Sequence, residues 1–221
     1  MLAVVTTGPA SAPIDEVRRM TNSATGEIGA LLAEALAARG FQTLLFRARG
    51  ATHTHVPSGA LLHEFATNHD LVRALEALAE TRAADVRAVF HAAALSDYDL
   101  RAVRGPDGSL LGSPKIPGNL PQLHLLLEPA AKVLPLLRGW FPHAWIVGWK
   151  YELAGTREDA VTNARAPLKK SHSDATVLNG AAYGPGFGLL EGFQSPLHHP
   201  NKRELAQILA SRAETFAKSD K

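Results

Sequence analysis

Cysteine is absent from this 221-residue chain, which removes disulfides, thiolate nucleophiles and cysteine-ligated zinc from the available chemistry. The N-terminus has no basic region running into an apolar core and a cleavage site, and no apolar run approaches the length of a membrane span. A cytoplasmic location without a membrane partner is therefore expected. Neither sign of charge is in large excess: 23 Lys and Arg face 21 Asp and Glu, a formal net charge of +2. The sequence pI near 9.0 reflects that small surplus and gives little reason to expect nucleic acid as a partner. A tight G-x-G-x-x-G turn is also missing, because Gly8 and Gly26 stand too far apart, which disfavours a nicotinamide-dependent reductase.

What is present is an ordinary soluble composition, 46% hydrophobic and 20% charged, enough for one substantial α/β core. The opening stretch organises the rest. Leu2 to Val5 is a short apolar, β-favouring run, and Thr6-Thr7-Gly8-Pro9 ends it. Residues 10–25, rich in Ser, Thr, Asn and Pro, form a long connection, a kind that is usually functional or disordered. From Gly26 to Arg39, Ile28, Leu31, Leu32, Ala35 and Leu36 recur at helical spacing, and Gly40 stops the helix. The start of such a helix attracts an anion through its unpaired N–H groups and dipole. Taken alone, Ser23 and Thr25 fit a plain helix cap as well as a phosphate site.

A second strand is predicted over Phe41–Phe46, ending in the basic turn Arg47-Ala48-Arg49-Gly50, and His53 and His55 read as loop histidines rather than metal ligands. A covering helix is predicted over Asn68–Arg82, then a buried strand over Val86–Ala94 whose exit carries Leu95-Ser96-Asp97-Tyr98. Strand ends of this kind present ligand-binding residues in open α/β sheets, although a small-residue strand packed under a helix gives the same pattern. Arg104–Ser109 reads as an exposed turn within a flap. A strand over Leu123–Leu127, a helix up to about Leu137, a strand from Ala144 exiting through Lys150, and helices at Arg157–Leu168 and Lys202–Leu209 complete the pattern.

The segment Thr7–Gly29 resembles the opening signature of the phosphopantothenoylcysteine synthetase (phosphopantothenate–cysteine ligase) family, T-x-G-G-T-x-x-P-I/L-D-x-V-R-x-I/L-S/T-N-x-S-S/T-G-x-x-G. It matches at Thr7, Gly8, Pro13, Ile14, Asp15, Val17, Arg18, Asn22, Thr25, Gly26 and Gly29. His91–Tyr98 is similar to the family segment H-A-A-A-V-S/A-D-Y/F/W, and Ser113-Pro114-Lys115-Ile116 to its K-I segment after the flap. Lys150 and Glu152 match F-K-L-E-T, and Asp174 and Asn179 match K-L-x-x-K-x-x-D-x-I-V-A-N. The sequence departs at Pro9 (usually glycine), Ala24 (usually serine), Leu153 (usually threonine), and Pro167 and Ser171 (usually lysines). Lys169 or Lys170 would have to serve from a shifted position.

The resemblance implies a single Rossmann-like, doubly wound, mainly parallel α/β domain over residues 1–221, with helices on both faces and a flap around residues 100–118. It implies a homodimer whose flap reaches the partner. The implied reaction joins 4′-phosphopantothenate to cysteine through an acyl-nucleotide, with CTP or ATP as co-substrate and Mg²⁺ as cofactor. By the same resemblance Asn22 and Lys115 are catalytic. Gly8, Ser23, Thr25, Gly26, Ala92, Ala93, Ala94, Ser96, Asp97 and Lys150 hold nucleotide or phosphate, and no protein metal ligand is expected. The alternative is a catalytically reduced paralogue that binds nucleotide without turnover, which Pro9, Leu153 and the missing lysines at Pro167 and Ser171 favour.

Overall fold

The computed structural model describes residues 1–112 and 114–219; Ser113, first residue of the K-I match, lies outside them. An eight-stranded sheet forms the centre. Its strands in chain order are β1 (Leu2–Thr7), β4 (Gln42–Ala48), β5 (Ala60–Phe65), β6 (Val86–His91), β9 (Trp145–Tyr151), β10 (Ala175–Asn179), β11 (Phe187–Glu191) and β12 (Leu197–His199). In space they run β12-β11-β10-β9-β6-β1-β4-β5. The six strands from β10 to β5 are parallel, and β11 and β12 join antiparallel at one edge. The fold is a Rossmann-like, doubly wound single domain, as expected.

The two-residue period of a strand sorts β1 between two cores. Ala3 and Val5 face helices α1 (Glu27–Ala37) and α5 (Lys202–Ser219), while Leu2 and Val4 join the cluster covered by α2 (Asn68–Arg82) and α3 (Leu134–Trp140). Helix α4 (Arg157–Lys170) covers Leu178 and Leu190 through Ala160 and Ala164. Helices therefore occupy both faces. Helix α2 begins with a reciprocal cap, the Thr67 hydroxyl accepting from Asp70 N–H and the Asp70 carboxylate from Thr67 N–H.

Several elements differ from the sequence-based expectation. The long connection of residues 10–25 contains a small hairpin, β2 (Ser11–Pro13) with β3 (Arg19–Thr21). Strand β7 (Tyr98–Arg104) pairs antiparallel with β8 (His124–Pro129) as a two-stranded ribbon separate from the main sheet. Helix α3 starts only at Leu134, because Pro129 ends the ladder and Pro135 suits a first helical turn. Helix α5 runs ten residues past the expected Leu209, its Ala210, Ala213 and Ala217 continuing the buried stripe.

Candidate active site

The chain leaves β1 for β4 on one side and later for β6 on the other, so the order reverses beside β1. A crevice at the carboxyl ends of β1 and β6 is the ligand position such a reversal creates. The two exits are zipped together: Ala92 N–H donates to Thr6 O, Ala94 N–H to Gly8 O and Ala10 N–H to Ala94 O, each at 3.0 Å. Pro9, which departs from the family pattern, fits this zipper because its missing N–H is not required, and it bridges Ala94 in parallel register.

Asn22 follows directly on β3. Its side-chain amide donates to Ala94 O (3.3 Å) and Leu95 O (3.0 Å), so the hairpin end and the β6 exit are tied. Both amide hydrogens are thereby committed, and Asn22 Oδ1 remains as an acceptor. Asn22, Ser96 and Asp97 with Met20, Tyr98 and Leu127 wall a cleft of about 240 Å³. Ser96 is held by its backbone: its N–H donates to Asn68 Oδ1 (3.1 Å) and its carbonyl accepts from Asn68 Nδ2 (2.9 Å). Asp97 carries the ammonium of Lys132 as its ion-pair partner.

A second group of predicted residues gathers where α1 begins. Gly8 and Gly26 both lie in the left-handed region, φ +82° and +84°. A Cβ on either would come within 2.9 Å of Ala51 Cβ, so the close approach of three loops requires glycine at both. Thr7 Oγ1 donates to Gly26 O at 3.0 Å. Gly26 offers no side-chain cap, and Thr25 Oγ1 makes only a long contact of 3.4 Å to Glu27 N–H. Ser23 is exposed. The Glu27 carboxylate in the first turn pairs with Lys202 at the start of α5, which holds its pKa below the usual value.

The remaining predicted residues stand apart from the cleft walls. Lys115 is exposed and precedes Ile116, which is buried and tied to the tip of the β2–β3 hairpin. Lys150 sits at the exit of β9, paired with Glu152 at 3.0 Å. The matched Asp174 occupies the other end of the sheet. Its carboxylate accepts from Ile146 N–H (2.6 Å) and Arg138 Nη2 (2.7 Å) near the start of β9. Because α4 runs back from the β9 exit to the β10 start, Lys169 and Lys170 also lie at that far end.

Three groups in this region escaped the sequence reading. Asn68 looks like an ordinary first-turn residue, yet it is buried and bonds Ser96 and Ala131 O (3.1 Å). Lys132 sits in an unremarkable stretch before α3. His91 enters the sequence pattern only as the first letter of its motif; it is buried, 2.8 Å from Thr6 Oγ1, and desolvation lowers its pKa from 6.5 to about 4. It is neutral beneath the crevice at neutral pH.

Residues 2–212 match the family model described as the DNA/pantothenate metabolism flavoprotein C-terminal domain. The coenzyme A biosynthesis bifunctional protein CoaBC of Thermococcus kodakarensis is 29% identical over 214 residues, 93% of this chain and 49% of the relative. The chain thus spans about half the length of that curated relative. Among solved structures, the DNA/pantothenate metabolism flavoprotein of Streptococcus pneumoniae superposes with a TM-score of 0.84 at 24% identity, covering 98% of this chain and 99% of that one. A Cab2 mutant in complex with phosphopantothenate-cysteine superposes with a TM-score of 0.74 at 15% identity, covering 99% and 88%. With a model matched over almost its whole length and a sheet whose switch point lies where the matched motifs converge, the chain belongs to the DNA/pantothenate metabolism flavoprotein C-terminal domain family.

Proposed function

We propose that this protein is a ligase of coenzyme A biosynthesis that joins 4′-phosphopantothenate to cysteine. The observation that carries the reading is the meeting of Asn22 with the Ala94–Asp97 exit at the switch point of the sheet. In the first step a carboxylate oxygen of the acid attacks the α-phosphorus of CTP or ATP, and pyrophosphate leaves. In the second the amine of cysteine attacks the acyl carbon, the nucleotide monophosphate leaves, and the amine loses a proton. Activation is required because a carboxylate is a poor electrophile, and the protein's task is to position reactants and neutralise phosphate charge.

Ala92, Ala93 and Ala94 would let the nucleotide lie close to the backbone, with Ser96 and Asp97 as polar contacts. Gly8, Ser23, Thr25 and Gly26 would present the α1 start to a phosphate, and Lys115 would neutralise the triphosphate, with Lys150 as a further phosphate contact. Asn22 Oδ1, an acceptor, suits an N–H of the attacking amine. Mg²⁺ would serve as the counter-ion of the triphosphate and would supply neutralisation of phosphate charge there. The β7–β8 ribbon exposes Leu125, Leu126 and Leu127, an apolar surface suited to a second copy of the chain in a homodimer. No helix among the described residues is long and apolar enough to cross a membrane.

The deciding experiment measures pyrophosphate release with Mg²⁺, CTP or ATP, and 4′-phosphopantothenate, with and without cysteine. Acid-dependent release and an amide product with cysteine are expected. Nucleotide binding without release would establish the second reading, a catalytically reduced paralogue, which the replacement of the family lysines by Pro167 and Ser171 favours.

A further inference from the structure

We propose that Asp15 and Arg18 form a clamp that positions Lys115, so that the flap lysine is set by the hairpin rather than by the flap itself. The inference rests on the reading of Lys115 as the charge-neutralising residue. Asp15 is 1% exposed in its side chain yet touches neither the cleft nor the α1 start. All of its contacts are accounted for by two short segments.

Asp15 Oδ1 accepts from Val17 N–H (2.9 Å) and Arg18 N–H (2.7 Å), which folds the tip of the hairpin. Its Oδ2 accepts from Arg18 Nε (3.0 Å), Arg18 Nη2 (2.5 Å) and the backbone N–H of Ile116 (3.1 Å). Arg18 Nη2 also donates to Ile116 O (2.5 Å), and Glu16 N–H to Pro114 O (3.0 Å). Both neighbours of Lys115 are therefore fastened by the hairpin tip, and Ile116 is buried.

The other end of the same hairpin is Asn22, tied to the β6 exit. The two residues assigned to catalysis thus hang on opposite ends of one small, cross-bonded element. Charge-assisted bonds of this kind are the strong ones, and a misplacement of about 1 Å in a positioning contact can cost up to about 10²-fold in rate. Asp15 and Arg18 are positioning residues in this proposal: they act through Lys115.

The test uses the whole chain and the affinity of Mg–CTP and Mg–ATP, measured by equilibrium dialysis, in Asp15→Asn, Lys115→Gln and the double variant. Asn at position 15 still accepts from Val17 and Arg18 N–H, so the turn survives, but it offers no acceptor to Ile116 N–H. Amide exchange at Ile116, flanked by Lys115 and Pro117, is expected to accelerate. Affinity is expected to weaken by roughly tenfold, as one lost phosphate contact predicts, and the double variant to bind no worse than Lys115→Gln alone. An unchanged affinity in Asp15→Asn, or a further tenfold loss in the double variant, overturns the proposal, because an effect independent of Lys115 is a general loss of structure. Arg18→Lys, which keeps the charge and loses the two-pronged contact, replaces Asp15→Asn should that variant not fold. Wild-type protein that binds nucleotide but releases no pyrophosphate refutes the ligase reading and leaves the clamp result legible.

Discussion

Asn68 and Ser96 exchange two hydrogen bonds, side-chain carbonyl to backbone N–H at 3.1 Å and side-chain amide to backbone carbonyl at 2.9 Å. A side chain at the first turn of α2 thereby imitates a neighbouring strand for the segment that walls the cleft. The second amide hydrogen goes to Ala131 O, in the segment that also supplies Lys132 to Asp97.

Replacing Asn68 by Ala should leave one N–H and two carbonyls without partners. An expected loss of about 2–3 kcal/mol follows, a fall in Tm of several degrees for a chain of this size, read by calorimetry. Nucleotide affinity should fall in the same variant even at temperatures where it is fully folded.

For Asn22→Ala, acid-dependent pyrophosphate release should persist while amide formation drops by about 10²-fold, the scale of one lost polar contact to a transition state. Rapid-quench analysis in which both steps fell equally would remove the assignment of Asn22 Oδ1 to the amine.

Lys169→Ala and Lys170→Ala should leave Mg–CTP and Mg–ATP affinity within about twofold of wild type, since a solvent-screened charge at the far end of the sheet acts weakly over such a distance. Asp174→Ala should lower stability by about 1–3 kcal/mol by unpairing Ile146 N–H and Arg138, with affinity again unchanged. Isothermal titration beside denaturant unfolding checks both halves.

Gly29→Ala tests the packing of α1. A Cβ there would lie 2.4–2.6 Å from the side-chain atoms of Thr7, which is buried and already bonded to Gly26 O. Overpacking of about 1–3 kcal/mol is expected, and because the displaced element is the helix start proposed to receive a phosphate, nucleotide binding should weaken with it.

His91 predicts a pH dependence. Burial depresses its folded-state value to about 4 from 6.5, so protons favour the unfolded chain. The stability gained from keeping the ring neutral is complete above about pH 6.5, shrinks as the pH falls toward 4, and at full loss amounts to about 3 kcal/mol. His91→Gln, which keeps a partner for Thr6 Oγ1, should flatten the stability profile across that window in urea titrations.

Elements with long, regular patterns were legible in the sequence. Helix α2 has the predicted bounds Asn68–Arg82, and β1 ends at Thr7 as its Gly-Pro punctuation indicates. The β2–β3 hairpin was not legible, because three residues per strand, one of them Pro13, carry no period. Edge strand β5 escaped for a related reason: Leu61, Leu62, His63 and Glu64 are all exposed, so no alternation marks it. At the site, Asn22, Ala94, Ser96 and Asp97 come together as the motifs imply, whereas the cation on Asp97 and the amide holding Ser96 are contacts across 35 and 28 positions. Local pattern holds no trace of such contacts. Asp174 shows the converse, a matched letter whose work is to fasten β9 to α3.

Helices α1 and α5 share one buried cluster, Leu32 and Leu36 of the first meeting Leu205, Leu209 and Ala213 of the second, and their starts are joined by Glu27 and Lys202 across 175 positions. A nascent chain can therefore form β1, α1 and β4 early but has nothing to lay against the outer side of α1 until α5 has emerged from the ribosome. Synthesis time becomes exposure time for that apolar stripe. The first unit made is the last to be covered, and a chain interrupted before Lys202 leaves the outer side of its first helix exposed to the cell.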